Sequence, residues 1–174
     1  MNAMKKILAL ALAGVMALAL LTGCGTGGSA SHKSIAKAMA DCDNGLDGKT
    51  TITCTSSAEL DAKLQQLAAN PKFKTIVKKV YNNEKLSSDD IPSNRIPSDK
   101  VVYLYCGKYD KDAGKQTINL NAHSACVNSY TYNPPKLDDA REIGLITTSC
   151  TDTNGKEVKV RFAVVVSKIP TATP

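Results

Sequence analysis

His123 and Cys126 are spaced His-x-x-Cys in the run His123-Ser124-Ala125-Cys126. Imidazole nitrogen and thiolate sulfur are the donors that tetrahedral zinc prefers, so with Cys106 and Cys150 the pair would complete a Cys₃His set. The same groups suit a second chemistry, in which a thiol beside an imidazole base acts as a nucleophile. A third use of the sulfurs is oxidation to disulfides, which the spacing neither requires nor forbids. Cys42 and Cys54 bracket a glycine-rich stretch and could close a short loop.

Several other runs imitate known sites and fall short. Ser34-Ile35-Ala36-Lys37 has the S-x-x-K spacing of penicillin-recognising enzymes, but the chain has neither S-D-N nor K-T-G. Gly45-Leu46-Asp47-Gly48-Lys49-Thr50 ends like a phosphate-binding loop and is two residues too short to wrap a phosphate. Asp41, Asp43 and Asp47 do not keep a calcium-loop spacing, since Leu46 falls where the loop needs glycine and Ile52 where it needs glutamate. We therefore expect no metal and no cofactor. Tyr103 and Tyr105 share one face of an extended segment, as do Tyr130 and Tyr132. If those faces coincide, they form a patch of ring surface and hydroxyls suited to a peptide or glycan; packing of strand-forming tyrosines is the simpler account.

The N-terminal region supplies the compartment. Lys5 and Lys6 precede the apolar run Ile7–Leu21, which is shorter than the roughly 20 residues of a membrane-spanning helix. The run ends Leu21-Thr22-Gly23-Cys24. This resembles the lipobox of bacterial lipoprotein signal peptides. The resemblance covers only the first two dozen residues. It implies cleavage before Cys24, diacylglycerol on the Cys24 thiol and a second acyl chain such as palmitate, because one chain binds membranes only marginally. Residues 1–23 would then be the signal peptide and 24–34 a lipidated cysteine with a flexible tether. A domain would span 35–169, with a disordered tail at 170–174.

Composition fits that placement. The chain has 22 basic and 16 acidic residues, a net charge of +6. Losing Lys5 and Lys6 with the signal leaves 20 against 16, or +4. The lysines are scattered and only three arginines occur, so this is no nucleic-acid footprint. With Cys24 acylated, Cys42, Cys54, Cys106, Cys126 and Cys150 remain. Thiols pair outside the cytoplasm, so Cys42–Cys54 and one bridge among Cys106, Cys126 and Cys150 are expected.

The elements that would carry these residues follow from periodicity. Ser34–Ala40 reads as a short helix, followed by turns at Asn44-Gly45 and Asp47-Gly48 and a brief strand at Thr50–Cys54. Ser56 and Glu59 are spaced as a capping box, ahead of Leu60, Leu64, Leu67 and Ala68 on one helical face. Asn70-Pro71 is an N-cap followed by proline in the first turn, and Phe73, Ile76, Val77 and Val80 continue at helical spacing. Val101–Cys106 is a strand, Lys115–Asn121 its expected hairpin partner, and Ala125–Tyr132 a weaker strand. Asn154-Gly155 suits a type I′ turn. That turn would pair Ile143 with Val166, Leu145 with Val164, Thr147 with Phe162 and Ser149 with Val160 on an apolar face. Ile146, Thr148 and Cys150 would take the other face, opposite Ala163, Arg161 and Lys159. His32 falls in the tether, which leaves His123 as the histidine of the domain.

The expected fold is α+β, with two to three N-terminal helices on one face of an antiparallel sheet of about four to five strands. The expected function is that of a lipoprotein held in the bacterial cell envelope on the extracytoplasmic side of a membrane. It would be a non-enzymatic module that binds a protein, peptide or glycan or plays an envelope-structural part, with no nucleic acid as partner. The alternative is a small exported hydrolase or thiol enzyme using His123 and a cysteine.

Overall fold

A computed structural model describes residues 30–91, 99–127 and 138–169. Among the described residues, four helices and five strands follow in the order α1 (His32–Asp47), β1 (Thr53–Ser56), α2 (Ala58–Leu67), α3 (Pro71–Tyr81), β2 (Lys100–Lys108), α4 (Ala113–Asn121), β3 (Ser124–Cys126), β4 (Ala140–Thr151) and β5 (Glu157–Lys168). The fold is α+β. The sheet order is β1-β4-β5-β2-β3, antiparallel except for the parallel pair β1–β4.

The central strands β4 and β5 are apolar almost without interruption at Ile143–Ile146 and Arg161–Val166. A strand with that pattern is buried on both faces, and helices do cover both. One layer holds Leu64, Leu67, Phe73, Ile76, Val77 and Val80 of α2 and α3 against Val102, Leu104, Ile146, Val160, Phe162 and Val164. The other holds Ile35, Ala36 and Met39 of α1 and Leu120 of α4 against Ile143, Leu145, Ala163 and Val165. The four periodic residues of α3 are all buried, and Asn70 caps its start by accepting from Lys72 N.

Several local expectations are corrected. Residues Lys115–Asn121 belong to helix α4, not to a hairpin strand. Asp112 caps it, accepting from Lys115 N at 2.8 Å. The first helix runs from His32 through Asn44-Gly45 and ends at Gly48, whose φ of 62° closes the last turn. Asn44 is held there because its side chain pairs with both backbone groups of Ile52 at 2.9 Å. The following strand is consequently Thr53–Ser56. The cap of α2 is Ser57 rather than Ser56, because Ser57 N–H donates to Ile143 O while its hydroxyl faces Leu60 N.

The last hairpin is one residue out of the expected register. Ile143 pairs with Val165, Leu145 with Ala163, Ile146 with Phe162 and Thr148 with Val160. The cause is Asp152, whose Oδ1 accepts from Asn154 N and Lys156 N, both at 2.9 Å. That ring favours a type I turn, and Gly155 alone takes a positive φ, 79°. The result is a three-residue loop with a left-handed glycine instead of a two-residue turn. Val160, Phe162 and Val164 still share a face. Thr147 and Ser149 leave it, and Ile146 and Thr148 join it.

The connection after α3 is fastened by Asp90. Its carboxylate accepts from Lys79 Nζ at 2.8 and 2.9 Å, from Ser87 N at 2.7 Å and from Ser87 Oγ at 2.9 Å. Burial alone would push this carboxyl up, but the hydrogen bonds from Lys79 and Ser87 outweigh it and hold it below the ordinary carboxylate value. A depressed folded-state value contributes stability above the unfolded-state value, lost as pH falls through the folded one. Below about pH 4, Asp90→Asn should therefore lose stability less steeply than the wild type, read by urea melts from pH 7 to 2. Parallel pH profiles would contradict the assignment.

Candidate functional site

The residues singled out by type and spacing are distributed over both faces of the sheet. Cys24, Tyr130 and Tyr132 lie outside the described residues. Tyr103 and Tyr105 are half-buried and stacked, with centroids 6.2 Å apart, against the layer under α1. Burial, and then Cys126 hydrogen-bonded to it, push the Tyr103 hydroxyl up to about 12. Burial raises Tyr105 as well.

The five described cysteines, Cys42, Cys54, Cys106, Cys126 and Cys150, are thiols. Cys42 on α1 receives a contact from Asn121 Nδ2 at 3.5 Å. Cys54 on β1 sits beside the Asp43–Arg141 ion pair; burial pushes its thiol up to about 11, against the opposing pull of Arg141. Cys126 is level with Tyr103 on β3 and shares its face. Cys106 and Cys150 are on the opposite face, in the core under α2 and α3, at 0% and 8% exposure. Strand parity therefore separates Cys126 from these two, which share the core under α2 and α3.

Beside this pair, the His123 ring packs on Tyr81 with centroids 5.3 Å apart. Burial, followed by Cys150, Asp152 and Cys106, raises the Tyr81 hydroxyl. His123 Nδ1 is buried without a hydrogen-bond partner. Among the described residues, no three His, Cys, Asp or Glu side chains converge as metal ligands.

The domain holds a second histidine, which corrects the assignment of His32 to a tether. His32 Nδ1 lies 2.6 Å from Asp61 Oδ2, and Asp61 Oδ1 accepts from Leu145 N at 2.6 Å. The carboxylate thus joins α1, α2 and the edge of β4, at a point where β1 has ended and the strand's N–H would otherwise lack an acceptor. Sequence periodicity carries no signal for this contact, because its members are 29 and 84 residues apart.

The S-x-x-K pair is dispersed: Ser34 Oγ donates to Ser31 O at 2.8 Å, and Lys37 pairs with Asp41 at 2.6 Å. Lys49 and Thr51, at the end of the loop-like glycine run, both hold Asp139. An apolar cavity of about 50 Å³ lies between α2, α3 and the sheet, lined by Leu67, Phe73, Ile91, Val102, Phe162 and others. Small-molecule sites are several-fold larger, about 300–1,000 Å³. No family model, curated protein or solved structure matches the chain.

Proposed function

We propose that this protein is a lipid-anchored extracytoplasmic lipoprotein whose folded domain serves as a non-enzymatic binding or envelope-structural module. The observation that carries the reading is Leu21-Thr22-Gly23-Cys24 at the end of a basic-then-apolar leader. Each described histidine is committed to a contact within the domain, His32 with Asp61 and His123 with Tyr81. Cys54, next to the guanidinium of Arg141, is held protonated by burial, which disfavours it as a nucleophile. The half-buried Tyr103–Tyr105 stack leaves some ring surface for a protein, peptide or glycan partner.

The test is acylation. Cys24→Ala removes the thiol that would accept diacylglycerol, so the variant should incorporate no radioactive palmitate and should accumulate as uncut precursor. Equal labelling of variant and wild type in a bacterial host would refute the anchor.

A further inference from the structure

We propose that the outer face of α4 and the end of the sheet beside it dock on the anionic phospholipid headgroups of the membrane that carries the anchor, with Ile118 entering the headgroup layer. The proposal rests on the lipoprotein reading and names the surface that the domain turns to its own membrane.

The point where the chain enters the domain is fixed by named contacts. Ala30 donates from N to Lys111 O, in the connection between β2 and α4, at 2.8 Å. Its carbonyl accepts from Arg161 Nη1 at 3.1 Å, and its methyl group packs on the layer under α1. Arg161 is buried, with its guanidinium carbon 5.1 Å from the Tyr109 ring centroid. The Lys159 ammonium lies 4.1 Å from the same ring, and Tyr109 N donates to Lys159 O at 3.0 Å. The entry point therefore sits at the start of α1 and α4, beside β5. Six peptide units join Cys24 to Ala30, and at full extension they span at most about 22 Å. A lipid on Cys24 keeps this end of the domain within that distance of the membrane.

Charge gathers at the same end. Lys33, Lys111, Lys115 and Lys159 are exposed there, and Arg161 lies beneath them. Against them stand Asp110 and Asp112, whose carboxylates accept from Asp112 N and Lys115 N, each at 2.8 Å. Five cations against two carboxylates leave +3. The chain from Cys24 onward carries 20 basic and 16 acidic residues, or +4, so the other 15 and 14 nearly cancel. Lys33 and Lys115 stand in the first turns of α1 and α4, which hold no acidic residue. A cation there opposes the helix dipole, and an anionic surface in front of it offsets the penalty. Attraction of lysine to an anionic leaflet fades within about 8 Å at physiological salt. A short tether is what brings the patch into that range.

The patch also has an apolar element. Ile118 is 70% exposed and lies one turn beyond Lys115 on the outside of α4, while Gln116, Thr117 and Leu120 face inward. An exposed isoleucine flanked by lysines suits an interface, where the apolar group enters the headgroup boundary and the ammonium groups stay with the phosphates. The lysines of α3, by contrast, belong to the layer on the other face of the sheet, away from Ala30.

The chain has no tryptophan, so Ile118→Trp and Thr75→Trp, the latter exposed on α3, each add a single fluorescent reporter. Each full chain is expressed in a bacterial host, purified in detergent and checked for acyl chains by mass spectrometry. It is then reconstituted into phosphatidylcholine vesicles with brominated acyl chains as quencher, with or without phosphatidylglycerol. In phosphatidylglycerol vesicles the Ile118→Trp emission should shift to shorter wavelength and be quenched, and the Thr75→Trp emission should do neither. Adding Lys111→Glu and Lys115→Glu should abolish the shift and the quenching; glutamate suits the first turn of α4, so the helix is kept. An acylated chain overturns the docking, and leaves the anchor standing, if the Ile118→Trp reporter is quenched no more than the Thr75→Trp one. The same holds if its quenching persists without phosphatidylglycerol or survives the two charge reversals. A chain that carries no acyl group overturns the anchor, and the docking with it.

Discussion

Phe162→Ala is expected to lower the unfolding free energy by about 3–5 kcal/mol, while Lys159→Ala should change it by about 1 kcal/mol or less. Phe162 is 1% exposed and meets Phe73 edge to face, with centroids 5.3 Å apart and planes at 81°. It therefore fastens α3 to the centre of the sheet. Truncation removes that aromatic contact and a large apolar surface. It also enlarges a space that is already imperfectly filled, because Phe162 lines the existing cavity of about 50 Å³. Rigid elements on both sides limit collapse, which favours the upper part of the range. Lys159 is exposed, and its ammonium lies 4.1 Å from the Tyr109 ring centroid. Such an exposed contact is worth about 0.5–1 kcal/mol. Urea melts of the two single variants give the comparison, with similar slopes if both unfold in two states. A larger loss from Lys159→Ala would mean that the faces of β5 are reversed.

What sequence could say about this chain depended on whether a residue's partner was local. The α3 helix was legible in full, because Asn70-Pro71 and the spacing of Phe73, Ile76, Val77 and Val80 are signals within one element. The face of β5 was legible for the same reason. The hairpin register was not. Asn154-Gly155 by itself suits a two-residue turn, and the side chain of Asp152, two residues earlier, changes the loop by capturing Asn154 and Lys156. A single residue of slip then reassigns every partner on β4. For α4, the alternation in Lys115–Asn121 suggested a strand, yet Asp112 supplies a helix cap and Gln116, Thr117 and Leu120 are buried at helical spacing. The chemistry-bearing residues were the least legible. Alternation alone places Cys106 with Val102 and Leu104, and Cys150 with Ile146. That these faces coincide, and that Cys126 lies behind the sheet, requires the strand order β4-β5-β2-β3.

The glycines carry the second large effect. Gly107→Ala should cost about 3 kcal/mol, the upper end for overpacking, while Gly45→Ala should stabilise by roughly 0.5–1 kcal/mol. A Cβ on Gly107 would stand 2.2 Å from Asn119 O, 2.3 Å from Asn119 C and 2.6 Å from Leu120 N. These are backbone atoms of α4, so no rotamer change relieves the overlap and the helix itself must move. It is poorly placed to do so: Asn119 Nδ2 donates to Lys108 O at 2.9 Å, Gln116 Nε2 to the same oxygen at 3.2 Å, and Leu120 is fully buried in the second layer. Gly45 is the contrast, since nothing lies within 4 Å of its would-be Cβ and it sits inside α1. There a methyl group restricts the unfolded chain and meets no clash. The pair also separates the observed α1 from the turn that Asn44-Gly45 suggests in isolation. A left-handed glycine in such a turn would make Gly45→Ala destabilising, and a helical one makes it stabilising. Denaturant melts of the two variants decide both points, and destabilisation by Gly45→Ala would return residues 44–48 to a turn.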